Sequence, residues 1–224
     1  MSDTKPTSSV ETALAHAMRL LAQDPGLAAE QARQILIAVP GEPGARLILG
    51  MALAAQRDHA QALGVLEPLA AEQPTAARVH LELGIVLMAV KRLEEAIVAT
   101  GRAAQLQPSL PGVWLDLANM LDTAGQRARA GNAYLMHAST GRQDPELMAA
   151  GLALSAGQLP EAEQKLRDRL RRMPNDVAAM RMLAELGARV GRNEQALALL
   201  ERCLQLAPGF TMARHNYALV LDRC

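Results

Sequence analysis

The chain has 224 residues whose 23 basic and 23 acidic side chains cancel, with neither half polarised, so there is no one-signed surface to argue for nucleic acid or a membrane as partner. Half of the residues are hydrophobic but only four are aromatic; alanine and leucine, both strong helix formers, fill the apolar places. The longest apolar stretch, Leu83 to Val90, falls far short of the roughly 20 residues of a membrane span.

The N-terminal segment, Met1 to Val10, is polar and lacks the apolar core of a secretory leader. Residues 1–8 are expected to be a disordered tail. The two cysteines, Cys203 and Cys224, lie far apart in the repeat pattern, which fits a reducing, cytoplasmic setting and no disulfide framework. Only three of the basic residues are lysine, an arginine and alanine bias that suggests a bacterium with a GC-rich genome.

From residue 9 onward a spacing of 34 residues organises the chain. His16, Ala28 and Pro40 are followed by Gly50, Ala62 and Pro74, then by Gly84, Ala96 and Pro108. Later copies give Ala118 and Ala130; Ala150, Ala162 and Pro174; Ala184, Ala196 and Pro208. Such self-similarity marks a stacked-repeat protein. The repeats are placed at 9–42, 43–76, 77–110, 111–142, 143–176 and 177–210, with a half repeat at 211–224.

Each repeat is read as two short helices. In the second they run from Pro43 to Ala55 and from His59 to Glu72; in the third, from Ala77 to Ala89 and from Leu93 to Leu106. Proline lacks an amide proton and biases the residue before it away from helix, so it ends one repeat and starts the next. The fourth repeat is two residues short and has no closing proline, so Gly141 is expected to stop its second helix. No period-two run of β-branched residues appears, and the class is all-α. Small residues at the eighth place of the second to sixth repeats, where the first has His16, and at the twentieth place of all six predict that the two helices cross there, where a bulkier side chain would overpack.

Catalytic chemistry finds no footing. There is no phosphate-binding glycine loop, and the five histidines are scattered without a metal-ligand spacing. No catalytic residue, metal or cofactor is assigned. Cys203, at the twenty-seventh place, is read as a small apolar filler. His137 holds the same place in the fourth repeat; either that repeat is looser or the imidazole finds a partner across its helix pair. The run Lys165, Arg167, Arg169, Arg171 and Arg172 wraps its helix without an aromatic beside it, and is read as a solvated outer face rather than a phosphate site.

The residue pattern resembles the tetratricopeptide repeat. The fourth repeat carries it best, through Trp114, Leu117, Ala118, Leu121, Ala130 and Tyr134. The turns Ala124-Gly125-Gln126, Ala156-Gly157-Gln158 and Val190-Gly191-Arg192 agree. The resemblance implies a right-handed α-solenoid whose first helices line a concave groove through the second, fifth, ninth, twelfth and thirteenth places. Here those places give Leu47, Met51 and Ala54; Leu81, Ile85 and Met88; Leu115, Asn119 and Asp122; and Arg181, Glu185 and Arg189. The wall is thus apolar early and charged late. Members that grip a C-terminal carboxylate use lysine, asparagine and arginine at set groove places where this chain has mostly leucine, so that mode is not supported.

Contiguous exposed apolar surface marks a contact site. Leu47, Met51, Leu81, Ile85 and Met88 are expected to hold an apolar protein or peptide segment, unless superhelical curvature or a flanking domain of the same polypeptide covers them. The expected role is a non-catalytic interaction scaffold. Two alternatives stay open. The stretches Asn175–Ala184, Leu200–Leu204 and Ala213–Leu221 are similar to the repeat region of bacterial tetratricopeptide-repeat sulfotransferases, which implies a catalytic domain beyond Cys224 and makes this chain a fragment. The half repeat at the C-terminal end also suggests a self-association module, a homodimer through that face.

Overall fold

A computed structural model describes residues 6–140 and 144–223. The described secondary structure is entirely α-helical. Helices α1 (Pro6–Leu21), α2 (Pro25–Ala38), α3 (Pro43–Ala55), α4 (His59–Glu72), α5 (Ala77–Ala89) and α6 (Leu93–Leu106) form a block that ends at Gln107. A second block, from Pro108, holds α7 (Val113–Thr123), α8 (Arg127–Thr140), α9 (Pro145–Ser155), α10 (Leu159–Arg172), α11 (Val177–Arg189), α12 (Asn193–Leu206) and α13 (Thr211–Leu221). Two expectations meet the edge of the described residues. Helix α1 opens at Pro6, so residues 6–8 of the expected disordered tail are helical, while residues 1–5 lie outside the description. Gly141, the expected stop of α8, also lies outside it.

One turn geometry recurs between the paired helices. The fifteenth residue of the second to sixth repeats has positive φ: Arg57 (64°), Lys91 (64°), Gly125 (72°), Gly157 (73°) and Gly191 (78°). The next residue's amide reaches back five places to the eleventh carbonyl, as in Asp58 N to Leu53 O (2.9 Å) and Gln126 N to Leu121 O (2.9 Å). This is the Schellman closure, which satisfies carbonyls that a helix end leaves unpaired. The second helices then start at once. Asp58 caps α4 through the Gln61 amide, as Asp24 caps α2 through Gly26 and Leu27.

Within the N-terminal block each helix packs on its sequence neighbour, and α1, α3 and α5 lie side by side. The helix pairs approach where a side chain is missing. A Cβ on Gly50 would lie 2.6 Å from Leu66 Cγ, and one on Gly84 would lie 2.1 Å from Thr100 Oγ1 and 3.2 Å from the Ala96 carbonyl. Ala62, Ala96, Ala162 and Ala196 are fully buried at the twentieth place. Each hairpin's remaining apolar flank is covered by the next, as Ile35 of α2 joins Ala45 and Ile48 of α3 in one cluster.

The C-terminal block departs from this succession at α8. Helices α9 to α13 stack in order, but among the described residues α8, beyond its own partner α7, packs on α11 and α12. Gly131 permits the approach: a Cβ there would lie 3.5 Å from both the Leu206 carbonyl and Pro208 Cδ. Tyr134, fully buried, donates its hydroxyl to Asn119 Oδ1 (2.8 Å), which also accepts Asn175 Nδ2 (3.0 Å). The 34-residue spacing breaks at the same connection, between α8 and α9.

Two variants test these contacts by thermal or urea denaturation. Gly84→Ala should cost about 1–3 kcal/mol by overpacking, and adding Thr100→Ala should recover part of the loss. Lys91→Gly removes a side chain from the left-handed region and should raise stability by about 1 kcal/mol.

Candidate functional site

The wall formed by α3 and α5 carries five of the side chains that the sequence singles out. Ile85 is 40% exposed, and Leu47, Met51 and Met88 are half-buried. Leu81 is different: at 2% exposure it belongs to the core. Glu82 follows it, pairing with Arg78 Nε at 2.8 Å; burial pushes its carboxyl up against the opposing pull of Arg78. At the end of the wall a hollow of about 540 Å³ opens beside Leu47, lined also by Pro43, Arg78, Val79 and Leu106.

The C-terminal members of the expected wall are not alike. Leu115 is core, 3% exposed. Asn119 is engaged by Tyr134 and Asn175, and Asp122 is exposed. Arg181, Glu185 and Arg189 sit four residues apart on α11 and satisfy one another: Arg181 Nη1 donates to Glu185 Oε2 (3.0 Å), and Arg189 Nη2 to Glu185 Oε1 (2.7 Å). Arg189 also donates Nη1 to the Leu154 carbonyl (3.2 Å). The expected charged wall is therefore a paired ladder on one helix, and it is not continued by α7, whose partner α8 packs on α11 and α12.

A second apolar surface was not foreseen. Between α4 and α6 lies a cleft of about 720 Å³, floored by Leu83 and Leu87 of α5 and flanked by Ala70 and Val98, the last 72% exposed. Its rim is bridged by Arg92, which donates to Glu67 (2.6 Å) and Glu95 (2.7 Å). In the sequence Val98 interrupts the polar outer face of α6, a second helix and so outside the first-helix places at which the family resemblance puts a groove.

The basic run of α10 also divides. Lys165, Arg167, Arg171 and Arg172 form exposed ion pairs with Glu161, Glu163, Asp168 and Glu146. Arg169 does not share the solvated face read for it, being 3% exposed. It stands at the twenty-seventh place, the register of Leu69, Ala103 and Cys203, and that register points inward. Its guanidinium joins the capping carboxylates of two helices, donating Nε to Asp176 Oδ2 (2.5 Å) and Nη2 to Asp144 Oδ2 (2.8 Å). Asp176 is fully buried and also accepts the Ala178 and Ala179 amides at 3.0 Å. His137, at the same register on α8, brings Nε2 to 3.1 Å from Asp176 Oδ1. That nitrogen is close to the carboxylate but out of hydrogen-bond alignment with it. The imidazole's partner thus lies on α11 rather than across its own helix pair. Cys203 is fully buried near the Val177 carbonyl, and burial pushes its thiol up to about 12, as suits an apolar filler.

The cluster makes a pH prediction. Burial raises the Asp176 carboxyl, but His137, Arg169 and the Ala179 amide more than offset it and leave the group at about 2, against an ordinary 3.8. A depressed folded-state value gives stability that is present above the unfolded value and is lost as pH falls through the folded one. The contribution, about 2 kcal/mol by linkage, should fade between pH 3.8 and 2. Denaturation curves of Asp176→Asn and the parent chain should converge over that window and stay apart at pH 6. Arg169→Met, which strands two carboxylates, should cost about 3–5 kcal/mol at neutral pH.

Comparison with known proteins agrees with the hairpin architecture. No curated protein matches the sequence. Among solved structures, the thermophilic TPR protein TTC0263 of Thermus thermophilus is 20% identical, with 95% of this chain and 99% of that one covered and a TM-score of 0.51. MamA of AMB-1 is 20% identical over 91% of this chain and 99% of its own, with a TM-score of 0.53. The APC/C hetero-tetramer Cut9–Hcn1 matches at 17% identity and a TM-score of 0.53, covering 95% of this chain and 43% of that one. At such identities the likeness is one of fold. The tetratricopeptide repeat profile matches residues 14–67, 49–111 and 147–209. The interval between the last two holds α7 and α8, so the profile leaves out the repeat that was expected from its residues to carry the resemblance best. With the matched segments spanning more than half of its length, the chain belongs to the tetratricopeptide repeat family.

Proposed function

We propose that the chain is a non-catalytic protein-interaction scaffold that holds an apolar helix or extended segment against the α3–α5 wall. The observation that supports this is the accessibility of Ile85 on α5, a helix that packs beside α3, with Leu47, Met51 and Met88 of the same two helices half-buried. An exposed β-branched hydrophobe gains by being covered, and methionine adapts its shape to varied apolar partners. The hollow beside Leu47 gives the segment a place to anchor one side chain. Membership of the repeat family supports the same use, since stacked hairpins present extended binding surfaces. No helix among the described residues is long and apolar enough to cross a membrane.

Peptides enriched from a displayed library on the 224-residue chain should carry an apolar stripe, and their affinity can be followed by fluorescence anisotropy. Ile85→Asp should weaken them by at least about tenfold, or 1.4 kcal/mol. Because Ile85 is exposed, the same change should alter stability by less than about 0.5 kcal/mol. Leu81→Asp should instead unfold the protein, since it buries a charge without a partner. Loss of binding in Val98→Asp with Ile85→Asp unaffected would move the site to the α4–α6 cleft and end this assignment.

A further inference from the structure

Val98, on the edge of the α4–α6 cleft, holds a place where the array otherwise has no large hydrophobe. The twenty-second place is exposed in all six repeats, and the other five set Glu30, Gly64, Asn132, Gln164 and Ala198 there. Val98 is 72% exposed. Glu94 and Arg102 flank it, four residues to either side on the stripe of α6 that lines the cleft. Both are exposed, and neither forms an ion pair among the described residues. The nearby guanidinium of Arg92 is taken by Glu67 and Glu95, and Arg102 gives Nη2 to the Pro74 carbonyl at 3.5 Å. Gly101 adds a second oddity. A Cβ there would meet nothing within 4 Å, so no neighbour in the chain requires a glycine, a residue that weakens a helix interior.

We infer that α6 pairs with α6 of a second copy, antiparallel, across a two-fold axis at Val98. Charge complementarity selects this occupant, because the stripe Glu94, Val98, Arg102 is its own complement in that direction. Glu94 of each copy comes level with Arg102 of the other, and the two valines meet at the axis. The stripe covers about 12 Å of helix at about 1.5 Å per residue, so both charge pairs and the apolar contact form together. Parallel pairing would set Glu94 against Glu94 and Arg102 against Arg102. Helix α12 repeats the two charges as Glu194 and Arg202, but with Ala198 between them it has no large hydrophobe to bury. Gly101 stands three residues after Val98, and the space left by its missing side chain lets two helices close to about 8–10 Å. Each Val98 then leaves water for the other copy's cleft, which is floored by Leu83 and Leu87 with Ala70 and Ala99 beside them. The contact is isologous, so it closes at two copies and does not propagate.

A single helix pair is a small interface, at the weak end of specific association. Sedimentation equilibrium with a reductant present, up to about 200 µM chain, suits that strength. The parent chain should show a monomer–dimer equilibrium between 23.9 kDa and twice that mass. Val98→Asp should weaken the dimer by more than about tenfold, because it forces two carboxylates together at the axis. Val98 is exposed, so the same change should leave the melting curve of the dilute protein unchanged. Glu94→Arg alone and Arg102→Glu alone should each weaken the dimer, since each sets like charges together. An equimolar mixture of these two variants should recover the parent's association, because one helix then carries only positive charge at the two places and the other only negative. A parent chain that stays monomeric at the highest concentration overturns the inference and leaves the cleft to a segment of another protein. So does a dimer untouched by Val98→Asp, or a mixture no more associated than its components. Ile85→Asp, on the separate α3–α5 wall, should leave the dimer intact, and loss of the dimer in that variant would also overturn the α6 contact.

Discussion

A pair of α-helices can bury its shared seam, but not its two outer flanks, and the whole structure follows from that shortfall. The seam closes only where one helix offers almost no side chain. Gly50 and Gly84 do so against Leu66 and Thr100, which draws the backbones together and leaves the leucines on either side to be covered by the next hairpin. The Schellman turn makes the arrangement repeatable. It reverses the chain in three residues while satisfying the carbonyls of the first helix. The arrangement tolerates Arg57 and Lys91 in a left-handed conformation that glycine would adopt at less cost.

Where the repetition lapses, polar chemistry takes over the work of packing. Helix α8 lies against α11 and α12, and the contact is fixed by Tyr134, Asn119 and Asn175 and by His137 over the buried Asp176. Arg169 completes the cluster by joining the caps of α9 and α11 through one guanidinium. Such a cluster gives less energy than an apolar core of equal volume, but misplacing any member leaves a buried charge without a partner. It therefore fixes the position of α8 where sliding apolar surfaces would not. The same pairing accounts for the α11 ladder of Arg181, Glu185 and Arg189, whose charges are spent on one another.

Two of the accessible apolar groups lie in places that differ in kind. Ile85 belongs to a wall of first helices and Val98 to a cleft between second helices. Stacking covers the flanks of internal hairpins but not the wall or the clefts, so a repeat array presents such surfaces by construction. Which of them has a use depends on the residues set there. On the α3–α5 wall these are flexible and apolar.

The sequence by itself determined the helical hairpins, the seam positions and the limits of α3 to α6, because these are local: a proline, a small residue or a turn acts within a few residues of itself. It also marked the fourth repeat as irregular, through two missing residues and an absent proline. Only the tertiary structure decided where α8 would lie, that Leu81 and Leu115 are core while Ile85 is not, and that Arg169 is buried among carboxylates. Each of these depends on which distant helix covers a given face. A side chain's register tells which way it points, and burial depends on what stands opposite.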